Sequence, residues 1–144
     1  MMQKRYRMLA HTSDAYIEAI GKSIEEAFEE AAKGMFSVIL DLRKVKKREV
    51  KNLGISDAQD IQSLLYSWLE QLLVIFETEK FVPRESKVKI HEKNGVYTIN
   101  ALLKGERVTA SSHLFKREVK AVTYHAMEIL KEQDYYKVRF ILDL

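Results

Sequence analysis

Hydrophobic positions along this chain repeat with two different periods, and the switches between them mark out its elements. The first apolar stretches, about Arg5 to Ala10 and Ala15 to Ile20, read as strands flanking a short polar segment, His11-Thr12-Ser13-Asp14. Gly21 breaks that pattern. Ser23 and Glu26, three positions apart, form a capping box that satisfies the first free amides of a helix. Ile24, Ala27, Phe28, Ala31, Met35 and Ile39 then recur at three-and-four spacing, which predicts an amphipathic helix. The segment Asp41 to Ile55 is basic and carries β-branched valines, so an exposed strand is expected within it. Ser56 with Gln59 supplies a second capping signature. Ile61, Leu64, Leu65, Trp68, Leu69, Leu72, Leu73 and Phe76 follow as the apolar stripe of a second helix, whose simplest use is the core.

Beyond Pro83 the period becomes two. Val88 and Ile90 alternate with Lys87, Lys89 and His91, and Asn94-Gly95 is a strong hairpin signal with Val96 to Leu103 as the partner strand. Lys104-Gly105-Glu106 reads as a further tight turn into Arg107 to Ser111. Val119 to Lys131 opens like a strand, with a helical reading of its second half left open. Tyr136, Val138, Phe140 and Leu142 alternate with Lys137, Arg139 and Ile141 as a half-buried terminal strand. Two main helices packed on a mostly antiparallel β-sheet define an α+β fold.

Length and composition narrow the class. A chain of 144 residues suits one globular domain, 47% apolar and 31% charged content excludes a disordered tail, and no linker divides residues 1–144. No apolar run approaches the ~20 residues that span a bilayer. The basic start has no signal-peptide core behind it, so a cytoplasmic protein without a membrane role is expected. The chain has no cysteine, which removes disulfides, thiolate metal sites and thiol catalysis. Lys plus Arg is 24 and Asp plus Glu is 21, a formal +3, which permits RNA contact without demanding it.

Candidate chemistry is sparse. The five glycines are dispersed, so there is no phosphate loop, and the four histidines lack zinc-site spacing. Three features remain. His11-Thr12-Ser13-Asp14 is either a turn in which Thr12 and Asp14 bond to nearby amides or a segment presenting a ligand carboxylate. Asp143 follows the apolar strand Phe140-Ile141-Leu142, which would deliver its carboxylate to a fixed place. Such carboxylates suit hard cations, namely calcium, magnesium or manganese, although sequence spacing leaves open whether the two aspartates meet. The run Arg43, Lys44, Lys46, Lys47 and Arg48 is either a solvated strand face or a phosphate-contacting surface for RNA.

The opening His11-Thr12-Ser13-Asp14, the helix entry Ser23 to Phe28, the helix Leu64 to Leu73, the motif Val119 to His125 and the ending Asp143-Leu144 together resemble the archease family. The likeness runs along essentially the whole chain, with Ser13 where the family usually has Ala and Ala126 where it often has Asp. The resemblance implies a non-enzymatic accessory protein that activates an RtcB-type tRNA-splicing RNA ligase. It would promote guanylylation of the ligase and its multiple turnover, and would meet tRNA only through that partner. It also implies a divalent-metal site at Asp14 and Asp143, with backbone oxygen near Leu144 as a further ligand. His11, Lys120, Thr123 and His125 would line the same region. Two alternatives belong to other classes: an autonomous RNA-binding module, or a chaperone-like modulator of tRNA-processing or tRNA-modifying enzymes. A metal-dependent hydrolase would use the same aspartates, but no nucleophile or general base accompanies them.

Overall fold

The computed structural model describes residues 4–9 and 13–144. The element order is β1 (Tyr6–Leu9), β2 (Asp14–Gly21), α1 (Ile24–Ile39), a 3-10 turn (Leu42–Lys44), β3 (Glu49–Ala58), α2 (Ile61–Glu79), β4 (Phe81–Lys93), β5 (Val96–Arg107), α3 (Ala110–His113), β6 (Ala121–Lys131) and β7 (Tyr136–Asp143). The expected α+β fold is present, and its strands divide into two sheets. One has the order β1-β2-β7-β6 and the other β3-β5-β4, with every pairing antiparallel.

Both long helices begin where local chemistry sets their start. The Ser23 side chain accepts from the Glu26 amide at the head of α1. The N-cap of α2 is Asp60, paired with Ser63 in a capping box, and not the Ser56–Gln59 signature. The reason is that β3 continues to Ala58, carrying Asp57 in a left-handed conformation (φ 63°), so Ser56 is still in the strand. At its other end α2 stops at Lys80, also left-handed, whose N–H donates to the Phe76 carbonyl.

The core lies where the helices meet the sheets. Ala15, Ile17 and Ala19 of β2 and Val138, Phe140 and Leu142 of β7 point inward, joined by Phe28, Met35 and Phe36 of α1 and Leu64, Leu65, Trp68, Leu69 and Leu72 of α2. Trp68 is fully buried, and its indole Nε1–H donates to the Phe28 carbonyl at 2.9 Å, tying the two helices together.

Further along the chain the structure corrects one expectation and decides a reading that the sequence leaves open. Lys104-Gly105-Glu106 is not a turn, because β5 runs through it to Arg107. A Cβ at position 105 would collide with the backbone of Val82 and Pro83, so the glycine is there for the close approach of β4. After β5 comes the short helix α3, not a strand. The second half of Val119–Lys131 is strand, not helix. Its register slips between Thr123 and Glu128, and Ala126 adopts φ 56°, so a bulge interrupts the period of two.

Candidate functional site

The pleat of β2 and β7 builds the site. Side chains alternate across a sheet, so with Ala15, Ile17 and Ala19 facing inward, Asp14, Tyr16 and Glu18 must share the outer face. By the same rule Leu142, Phe140 and Val138 face inward, which leaves Asp143, Ile141 and Arg139 outside. The register pairs Asp14 directly with Asp143. Two carboxylates from opposite ends of the chain thus stand side by side at one end of the sheet. Directly opposed residues have Cβ atoms roughly 5 Å apart.

Their electrostatic setting differs sharply from that of the next carboxylate along the same face. Glu18 is buried, with Arg7 Nε at 2.8 Å and Arg139 Nε at 2.9 Å on its two oxygens. Burial pushes the Glu18 carboxyl up, but the guanidinium groups of Arg139 and Arg7 outweigh it and hold it below the ordinary value of 4.5. Among the described residues, neither Asp14 nor Asp143 has such a partner. Like charges directly opposed across a strand pair destabilise it. Glu18 has its cations built in, and the Asp14–Asp143 pair is left to find one elsewhere.

The third strand closes one side. Ala121 of β6 lies opposite Asp143, and the Lys120 N–H donates to the Asp143 main-chain oxygen at 2.7 Å. Thr123 Oγ1 donates to the Ile141 carbonyl at 3.1 Å, so this side chain ties β6 to β7. Lys120 is exposed beside the pair, and Leu144 is half-buried against the core one residue beyond Asp143. His125 is exposed within the β6 bulge, farther along the strand than Thr123. His11 lies outside the described residues. Tyr124, also in the bulge, is exposed and stacks on Tyr66 of α2 with ring centres 4.2 Å apart. Nothing in the sequence pairs those two rings, because they belong to distant segments.

Position 126 has a backbone explanation. Its φ of 56° lies in the left-handed region, which Asp and Asn tolerate better than Ala does. An aspartate there would serve the bulge whether or not it bound anything.

The donor set suits a hard cation held loosely. Carboxylate oxygens are the ligands that calcium, magnesium and manganese prefer. Among the described residues, no group of three or more His, Cys, Asp or Glu side chains comes together. A cation at Asp14 and Asp143 would therefore take its remaining oxygens from main chain, water or a partner molecule.

The basic run is not the exposed strand face expected of it. Arg43 and Lys44 are in the 3-10 turn, Lys46, Lys47 and Arg48 lie in irregular chain before β3, and the strand begins only at Glu49. Asp41 caps the turn and holds the Arg43 guanidinium through both oxygens, at 3.0 and 2.9 Å. That hydrogen-bonded guanidinium brings the Asp41 carboxyl down to about 2. Arg48 pairs with Glu106 at 3.0 Å and Lys47 with Glu85 at 3.8 Å. Much of the run's charge is therefore already answered within the protein.

Comparison with known proteins agrees with the fold. The model of the Archease protein family matches residues 6–144. Protein archease of Methanosarcina barkeri is 41% identical over 142 residues, covering 98% of this chain and 97% of that protein. Protein archease of Pyrococcus abyssi is 43% identical over 131 residues, covering 91% of this chain and 92% of its own length. The solution structure of Methanobacterium thermoautotrophicum protein 1598 is 40% identical, covers 99% of this chain and 100% of its own, and superposes with a TM-score of 0.86. A crystal structure from Thermotoga maritima, of an archease described as a possible chaperone, shares the fold with a TM-score of 0.61 at 18% identity. It covers 100% of this chain and 98% of its own.

Proposed function

Because this chain belongs to the archease family, we propose that it is a non-catalytic activator of an RtcB-type RNA ligase, acting through a divalent cation held by Asp14 and Asp143. One observation carries the reading: two carboxylates, paired in register at one end of the sheet, lack, among the described residues, the built-in cations that neutralise Glu18 on the same face.

A hard cation bound there would supply open coordination positions for phosphate oxygens. The protein's own contribution is placement. The apolar inner faces of β2 and β7 fix the register, while the Lys120 amide and the Thr123 hydroxyl hold β6 against β7. Among the described residues the site is a carboxylate pair, with no group of three or more His, Cys, Asp or Glu side chains around it. Elsewhere, His113 Nε2 meets Glu106 at 3.0 Å, and its other ring nitrogen is engaged by the Thr109 amide. Such an arrangement suits an accessory protein that organises a metal for another enzyme's nucleotidyl transfer. The tRNA would be met through the ligase.

The test is guanylylation of a cognate ligase with substoichiometric amounts of this protein, beside the Asp14→Ala and Asp143→Ala variants. Faster labelling over many turnovers, lost in both variants while their circular dichroism is unchanged, is the expected result. Full activation by both variants would discard the carboxylate mechanism. No stimulation by the wild-type protein of an active ligase would discard the function itself.

A further inference from the structure

Far from the carboxylate pair the molecule has a cleft of about 640 Å³ bordered by Lys4, Lys33, Arg43, Lys46, Lys47 and Arg84, with Glu30 and Glu85 as the acidic members. Lys4 and Tyr6 place it at the start of β1. Tyr6 pairs with Ala19, five residues along β2 from Asp14. At about 3.3 Å per residue that separates the two regions by roughly 17 Å.

The cleft is built with some care. Register along β4 passes from Pro83, opposite Gly105, to Glu85, opposite Lys104, so Arg84 is a bulged residue with no cross-strand partner. The bulge presses the β4 backbone at Val82 and Pro83 against Gly105, where no side chain would fit. Its consequence is a re-aimed Arg84, whose Nη1 donates to the Arg43 carbonyl at 3.2 Å and the Val45 carbonyl at 3.1 Å. Those acceptors are neutral, so the guanidinium keeps its full charge, and its Nε–H and Nη2–H have no protein acceptor among the described residues. It also anchors the segment that carries Lys46 and Lys47.

Charge accounting then separates this cleft from its neighbour. Arg43 is answered by Asp41, Lys33 by Glu30 at 3.2 Å, and Lys47 by Glu85 at 3.8 Å. Lys4, Lys46 and Arg84 have no carboxylate partner among the described residues. The adjoining cleft of about 610 Å³ balances four basic residues against four acidic ones. Only the first carries an excess.

We propose that this cleft binds the phosphate backbone of a single-stranded RNA segment. Phosphate, not base, is the recognised chemistry. Among the described residues bordering the cleft the only aromatic one is Tyr6, whose hydroxyl accepts a hydrogen bond from Ser37, and Leu42 and Val45 are buried. A nucleotide held by its base would need a stacking surface or an apolar slot, whereas a run of phosphodiesters needs only spaced cations. Recognition is therefore independent of sequence and sensitive to salt. The site differs from the basic run itself: Lys4, Lys33 and Arg84 come from outside that run, and Arg48 is not part of the cleft. The proposal does not depend on the ligase reading.

The experiment is fluorescence anisotropy of a labelled 12-mer oligouridylate with the full chain, from low to moderate salt. With three uncompensated cations, log Kd should change with log salt by about 2 per decade, from ~0.7 per phosphate on a single strand. Lys46→Glu should weaken binding at least several-fold at low salt. This residue's side chain is exposed and makes no hydrogen bond or ion pair among the described residues, so the fold is not at risk. Lys87→Glu makes the same change in net charge within the balanced cleft and should leave binding within about twofold. Equal weakening by both variants would replace the site with a general charge effect and overturn the proposal. Binding of inorganic tripolyphosphate that oligouridylate cannot displace would assign the cleft to a free phosphate ligand, which also overturns it. No RNA binding at low salt would do the same.

Discussion

Replacing Asp14 by Asn should stabilise the protein in chelator and destabilise it, relative to wild type, in excess divalent cation. In the register pairing, two carboxylates face each other across β2 and β7 with no cationic partner among the described residues. Two unit charges about 6 Å apart repel by ~0.7 kcal/mol in bulk water, and cross-strand pairs are worth 0.2–1 kcal/mol, so about 0.7 kcal/mol is the relief to expect. For a domain of this size that is roughly 2–3 °C in Tm. Asn has nearly the shape of Asp, and Asp14 supplies no core area, so little else changes. A cation at about one hundred times its Kd would add ~2.7 kcal/mol to the wild-type protein. The variant, having lost one of two carboxylates, should gain much less. The order of the two melting curves therefore reverses between EDTA and millimolar calcium, magnesium or manganese. Differential scanning fluorimetry of wild type, Asp14→Asn and Asp143→Asn under both conditions reads this directly. Wild-type protein whose Tm ignores all three cations would refute the metal reading, and variants that melt lower in EDTA would refute the repulsion argument.

Ala126→Gly should stabilise the protein by about 1 kcal/mol, because it relieves a left-handed alanine at φ 56°, and Ala126→Asn should give part of that gain in chemical denaturation. Trp68→Phe should cost about 2–4 kcal/mol by the same assay, since it deletes the hydrogen bond to the Phe28 carbonyl and leaves a void in the core. Acid unfolding should respond to the ion pairs at Asp41 and Glu18. Both carboxyls lie below their ordinary values of 3.8 and 4.5, so their contribution is fully present above those values and is lost as pH falls through the lowered ones. Arg43→Ala and Arg139→Met should therefore each move the acid midpoint measured by circular dichroism to higher pH.

How much of this was legible in the sequence depended on how local each signal was. Both long helices and the Asn94-Gly95 hairpin were readable because caps, periodicity and turn residues are short-range features. The errors fell where a long-range contact overrode the local pattern. Gly105 looks like a turn residue until β4 is seen against it, and the helical ambiguity of Val119–Lys131 came from a bulge that breaks the alternation. The basic run looked like a strand face, whereas Asp41 draws its start into a 3-10 turn and Arg84, from β4, pins the chain beyond. The two aspartates could be singled out from sequence. Their meeting could not, because it is a property of strand register between opposite ends of the chain. Arg84 carried no sequence signal: its direction arises from a bulge that only the pairing reveals.

The same register explains why the carboxylate site can be exposed and still well defined. A slip of one residue between β2 and β7 would turn Asp14 or Asp143 toward the core and Ala15, Ile17, Phe140 or Leu142 toward water. Phe140 and Leu142 are fully buried and Ile17 nearly so, and losing even one such side chain to solvent costs about 1.5–3 kcal/mol. That penalty exceeds the ~0.7 kcal/mol of repulsion between the opposed aspartates, so the core can hold them together without a cation. The main-chain bond from Lys120 to Asp143 and the Thr123 bond to Ile141 extend the constraint to β6. The pair's geometry is thus set by apolar residues that never touch a ligand. It follows that Asp14 and Asp143 should be replaceable without loss of fold, whereas substitutions on the inner face should abolish the site and the fold together.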